Sequence, residues 1–111
     1  LASNSLVALE AAAAALLRAA GVRPGTADAL LRSLIQETLQ NVKKLGPQKA
    51  LTGPVVRGDI GTVRRHLEAL KAHPGQEETY RAVGKLALTL AEGGGLPAGR
   101  IRALRRLLEG R

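Results

Sequence analysis

The chain has no Cys, Met, Trp or Phe in its 111 residues, and Tyr80 is its one aromatic side chain. Without cysteine there is no disulfide framework and no thiolate chemistry. The two histidines, His66 and His73, are too few for a zinc site built on imidazole and thiolate. With the large aromatics missing, a core must be assembled from Leu, Ala, Val and Ile. No basic segment followed by an apolar run opens the chain, which argues against a signal peptide. The apolar stretch from Leu6 to Ala20 is broken by Glu10 and Arg18 and is shorter than the roughly 20 residues a membrane span requires. The expected protein is therefore soluble, cytoplasmic and free of the membrane. The opening LASNSLVALE begins with Leu inside what reads as helix, so a piece of a longer protein is expected.

What is present is basic. The net charge is +8, carried by arginine more than by lysine. Such a balance suits nucleic acid, an anionic surface or acidic substrates. It equally suits GC-rich coding or heat adaptation, and composition does not separate these. A chain of this length supports one domain.

Helical periodicity dominates. A first helix is expected from about Ser3 to Ala20, stopped by Gly21, with the Ala11 to Ala15 block marking it as the central, most buried one. Thr26 is the expected cap of a second helix, whose stripe Leu30, Leu31, Leu34, Ile35, Leu39, Val42 and Leu45 runs to Gly46-Pro47. Ile60, Val63, Leu67 and Leu70 give a third helix, ending near His73-Pro74-Gly75. Tyr80, Val83, Ala87, Leu90 and Ala91 give the inner face of a fourth, begun around Gln76. Ile101, Leu104, Leu107 and Leu108 give a fifth, after Pro97. No segment alternates with period two. The expected class is all-α, a compact bundle of about five helices.

Between the second and third helices stands LTGPVVRGDIGTVRRHL. Pro54 fixes its own φ and pushes Gly53 away from helical geometry, while Gly58 admits a conformation that a Cβ hinders. Asp59 stands where a cap belongs. Asp59, Thr62 and His66 are separated by three and four residues, so they share one flank of the third helix. Thr52, Arg57, Asp59, Thr62 and His66 can therefore surround a small polar site in which an anion meets Arg57 and the helix start. Each has a plainer reading. Asp59 is first a cap, Arg57 a partner of Asp59 or an anion ligand, His66 a structural histidine or a general acid, and Thr52 a turn residue.

SNSLVALEAAAAALLRAAG, LGPQKALTGPVVRGDIGTVRRHLEAL and ETYRAVGKLAL occur in this order. Together they resemble the C-terminal domain of a family of Rossmann-like proteins, a helical domain catalogued as a domain of unknown function. The resemblance covers about Leu1 to Leu90, and its TGP-x-x-RGD-x-x-T-x-x-x-H pattern is complete in this chain. It implies an N-terminal Rossmann domain, absent from this chain, that binds NAD(P). The implied layout is that of pyrroline-5-carboxylate reductases, ketopantoate reductases and 6-phosphogluconate dehydrogenase-like enzymes. In these a helical C-terminal domain contacts the substrate and forms much of a homodimer interface. Ser3-Asn4 resembles the family's Ser-Asn pair. The implied roles are Asn4, Thr52, Arg57 and Asp59 as contacts to a small anionic substrate, and His66 as proton donor.

This sequence departs from that layout in having no G-x-G-x-x-G and no βαβ pattern. The fragment by itself is therefore expected to bind no NAD(P) and to be inactive. Two other functions compete with the oxidoreductase reading. Residues 100 to 111 hold five Arg against one Glu, an excess of four positive charges (5 − 1), which would suit a nucleic-acid-binding module. No aromatic stacking platform accompanies them, so nucleic acid is the weaker partner. A purely structural dimerisation domain is the third possibility.

Overall fold

The computed structural model describes residues 1–110, and among these it has five α-helices and no strand. They are α1 (Ala2–Ala19), α2 (Pro24–Ala50), α3 (Ile60–Leu70), α4 (Pro74–Glu92) and α5 (Ala98–Glu109). The all-α class expected from the periodicity is the one observed. Arg111, counted in the basic run at the end of the sequence, lies outside the described residues.

Local chemistry sets most of the helix ends. Gly21 takes φ +92 after α1, and Val22 N–H then donates to Leu17 O at 2.9 Å while Gly21 N–H donates to Arg18 O at 2.9 Å. These two bonds satisfy carbonyls that a helix end leaves open. The second helix begins at Pro24, two residues before the expected cap Thr26. Proline's fixed φ suits a first helical turn, and the Ala27 N–H already donates to Arg23 O at 2.9 Å, so Thr26 lies inside the helix. At Gly46 the backbone leaves helical geometry (φ 77, ψ 165), and Pro47 starts one further turn to Ala50. The third helix stops at Leu70, short of His73. That residue is instead the N-cap of α4, whose first residue is Pro74 rather than the expected Gln76.

The chain forms two compact units, Leu1–Lys44 and the residues from Leu45 onward. In the first unit only Ala14 and Ala27 are buried. This corrects the expectation that α1 is the most buried helix. Alanine gives high helix propensity but little apolar area, so the Ala11 to Ala15 block stabilises the helix locally without making it a core. The stripe along α2 is uncovered as well, with Leu30, Leu34 and Leu39 each more than half exposed.

In the second unit α3, α4 and α5 pack pairwise. Val63, Leu67, Leu88, Leu104 and Leu108 form the core, and Val55 plugs it from the loop before α3. The inner face of α4 is not quite the one expected. Gly84, Leu88 and Ala91 are buried, whereas Val83 is 43% exposed. Gly84 explains the rotation. A Cβ there would stand 2.7 Å from Leu108 Cδ2, so the missing side chain is the hole into which Leu108 fits. Arg81 ties the same two helices by donating to the Leu107 carbonyl near the end of α5, while it pairs with Glu77 at 2.8 Å.

Leu104 has no exposed surface. Leu104→Ala should cost about 2–5 kcal/mol in urea unfolding followed through the fluorescence of Tyr80, which reports this unit alone. A loss below about 1 kcal/mol would contradict the packing described.

Candidate functional site

The segment from Thr52 to His66 folds as two linked closures. Residues 54 to 57 make a single turn, and Gly58 ends it with φ +67. Asp59 N–H then donates to Pro54 O at 2.8 Å and Gly58 N–H to Val55 O at 3.1 Å, the paired bonds of a helix-end motif. Any Cβ at position 58 would also meet Arg100 Cδ at 2.7 Å and Leu96 Cδ1 at 2.8 Å. Glycine is required there by both backbone and space. Arg100 of α5 holds the bend from outside by donating to Gly58 O at 2.7 Å.

The residue that ends this turn also opens α3. Asp59 Oδ1 accepts from the Thr62 backbone N–H at 3.0 Å, which is the N-cap bond, and Oδ2 accepts from the Thr62 hydroxyl at 2.7 Å. Arg65 in turn donates from Nη2 to Thr62 Oγ1 at 2.6 Å. The carboxylate is held below the ordinary aspartate range. The Thr62 backbone bond is the main cause, then the Thr62 hydroxyl; partial desolvation opposes them, and the weaker fields of Arg65 and then Arg57 add to the lowering.

His66 lies one turn further along α3 and is exposed. Its Nδ1 is 2.9 Å from the Tyr80 hydroxyl on α4, and the two rings meet edge to face, 5.7 Å apart at 85°. Tyr80 packs against the core, and burial pushes its phenol above the ordinary value.

The residues singled out from the sequence are thus brought together in part. Asp59 and Thr62 are directly bonded. Arg57 is exposed and forms no ion pair with Asp59 among the described residues; it acts on that carboxylate only through its field. Thr52 is exposed just ahead of the turn, and His66 turns to Tyr80 rather than to any of the others. Asn4 sits in the first turn of α1, in the other unit, and is exposed. Around Asp59 two guanidinium groups act on one carboxylate, a local surplus of one positive charge (2 − 1). A surface of this kind attracts small anions.

Three further side chains matter here. Arg65 was legible in principle, being three residues beyond Thr62 on a helix. Tyr80 and Arg100 carry no local signal, because only the crossings of α3 with α4 and α5 bring them in. On α5, Arg100 is committed to the bend and Arg105 pairs with Glu92, so part of the cationic face foreseen for nucleic acid is engaged within the fold.

Because the folded Asp59 has a lower pKa than the unfolded one, its contribution is complete above the ordinary aspartate range, about pH 4. It is lost as the pH falls through the depressed folded value. Asp59→Asn, which keeps a cap without a charge, should flatten the fall in thermal midpoint below about pH 4. Asp59→Ala should lower the midpoint at neutral pH as well. Identical acid profiles for the wild type and Asp59→Asn would refute the assignment.

No helix among the described residues is long and apolar enough to cross a membrane. No curated protein and no solved structure matches the chain. A family model described as Domain of unknown function (DUF2520) matches residues 1–87, which takes in α1 to α3, the whole bend and most of α4, and leaves α5 outside. With more than half of its length matched, the chain belongs to the family described as Domain of unknown function (DUF2520).

Proposed function

We propose that this chain is the C-terminal substrate-binding and dimerisation domain of an NAD(P)-dependent oxidoreductase acting on a small carbonyl or imine acid. The observation that carries the reading is the bend from Thr52 to Asp59. It is braced at Gly58 and Asp59, carries surplus positive charge, exposes Arg57, and is followed about two helical turns later by an exposed histidine. The likeness to Rossmann-linked reductases gives this geometry its chemistry.

In this reading Arg57 holds the carboxylate or phosphate of the substrate, as a guanidinium does with paired N–H donors. Asp59 keeps the bend in shape, and Thr52 supplies a hydrogen bond. His66 gives a proton to the carbonyl oxygen or imine nitrogen. Asn4 is assigned as a substrate contact from the family likeness alone. The residues of this chain do not fit a dinucleotide. Gly93-Gly94-Gly95 follows a helix rather than a strand, and no strand-loop-helix unit occurs among the described residues. In this reading the cofactor is held by an N-terminal Rossmann domain, as the family likeness implies.

The dimerisation half has its own support. The first unit buries only Ala14 and Ala27 and leaves Leu30, Leu34, Leu39 and Val42 exposed over about half the circumference of α2. Two helices with so little buried area have no adequate core of their own. A second copy can cover such a face symmetrically, since the same stripe serves both partners.

Two measurements bear on this. In the full-length protein, hydride transfer should be assayed against a panel of small oxo and imino acids with both nicotinamide cofactors. Arg57→Ala should raise KM about 10–100-fold, the worth of a lost charge-assisted bond. His66→Gln should lower kcat about 100-fold. Turnover unaffected by either change would remove the assigned roles. Separately, sedimentation equilibrium should give a dimer that Leu34→Glu converts to monomer. A monomeric wild type at high concentration would dismiss the interface.

A further inference from the structure

The only aromatic side chain of the protein stands against the only histidine of its candidate site. Three features of that contact matter. The hydroxyl meets Nδ1 at 2.9 Å, so that nitrogen is engaged within the fold. The rings are edge to face at 85°, which fixes the plane of the imidazole. The tyrosine ring itself is packed against the apolar core cluster, so the hydroxyl is anchored by the core while the histidine is exposed.

We infer that Tyr80 is a positioning residue for His66: its hydroxyl donates to Nδ1, keeps the neutral ring in the Nε2–H form and presents Nε2 outward as the single nitrogen that can meet a ligand. This deepens the proposed reading of His66 as proton donor and rests on it. A phenol can both donate and accept. It donates to Nδ1 of the neutral imidazole. When the ring is an imidazolium, the hydroxyl rotates and accepts from Nδ1–H. If the imidazolium then gives its Nε2 proton to a substrate oxygen or nitrogen, the ring is left at first as the Nδ1–H tautomer on the same tyrosine oxygen, and proton exchange with water (a proton gained at Nε2, one lost from Nδ1) restores the resting Nε2–H form. The ring therefore has a partner at Nδ1 in every protonation state, and its direction does not change as the proton leaves.

Burial keeps the Tyr80 hydroxyl protonated well beyond the range in which an imidazole titrates, so the donor is always present. A free surface histidine lacks this constraint. It samples both tautomers and several rotamers, and only a fraction of them direct Nε2 toward a bound carbonyl.

The test is the tautomer of His66, read by long-range ¹H–¹⁵N NMR correlation on the ¹⁵N-labelled chain at a pH where the imidazole is neutral. The expected result is a single Nε2–H form in the wild type, and a mixture in Tyr80→Phe that matches the urea-unfolded chain. Phenylalanine preserves the ring that packs on the core, so this variant retains the fold, and the wild-type spectrum is decisive even without it. A tautomer mixture or an Nδ1–H ring in the wild type would overturn the inference, as would an unchanged tautomer in Tyr80→Phe. These outcomes concern Tyr80 alone. Failure of the reading itself would appear separately, as turnover indifferent to His66→Gln.

Discussion

The arrangement of the second unit depends on one short constraint, the reversal at Gly58 and Asp59. Gly58 closes the preceding turn in a left-handed conformation, and the very next residue caps α3 through Thr62. No spare residue lies between the end of one element and the start of the next. The direction in which α3 leaves the bend is therefore fixed by backbone hydrogen bonds rather than by side-chain packing alone. Val55 enters the core from inside this bend, and Arg100 reaches back from α5 to the Gly58 carbonyl. Loop, first helix and last helix of the unit are coupled at that point.

This coupling bears on the chemistry. Most loops obtain precision by being long and well packed, or sacrifice it to mobility. Here a loop of a few residues gains precision from one glycine-dependent closure and a cap, while Arg57 remains at its surface. The backbone is held by hydrogen bonds and the charged side chain is exposed, the division of labour that the proposed substrate role requires. Thr62 accepts from Arg65 and donates to Asp59, so three side chains form one chain of hydrogen bonds along the start of α3. His66 is held by a different device, an aromatic hydroxyl from a neighbouring helix.

The two units contrast in how their helices are stabilised. In the second, leucines and valines of three helices share a core and α5 is tied in by Arg81 and Arg105. In the first, local propensity and a well-formed helix end at Gly21 give regular helices with scarcely any burial. An alanine-rich, strongly helical sequence is no sign of a central position, because propensity and buried area are separate quantities. Their confusion accounts for the misplacement of α1 in the reading from sequence.

Much of the fold was legible in the amino-acid sequence, and the reason is physical. Helical period, the φ of proline, the left-handed freedom of Gly21 and Gly58 and the capping carboxylate of Asp59 all act over a few residues. They set five helices and most of their ends without reference to anything distant. The buried face of α4 was legible only in part: Tyr80, Ala87 and Ala91 lie on it as expected, but the place of Gly84 rather than Val83 depends on the fit of Leu108, 24 residues away (108 − 84). The partner of His66 was hidden for the same reason. Sequence places His66 on a flank with Asp59 and Thr62, but the crossing of α3 and α4 decides that its imidazole meets Tyr80. Local stereochemistry determined the elements; only the packing of helices across the chain decided which side chains stand face to face.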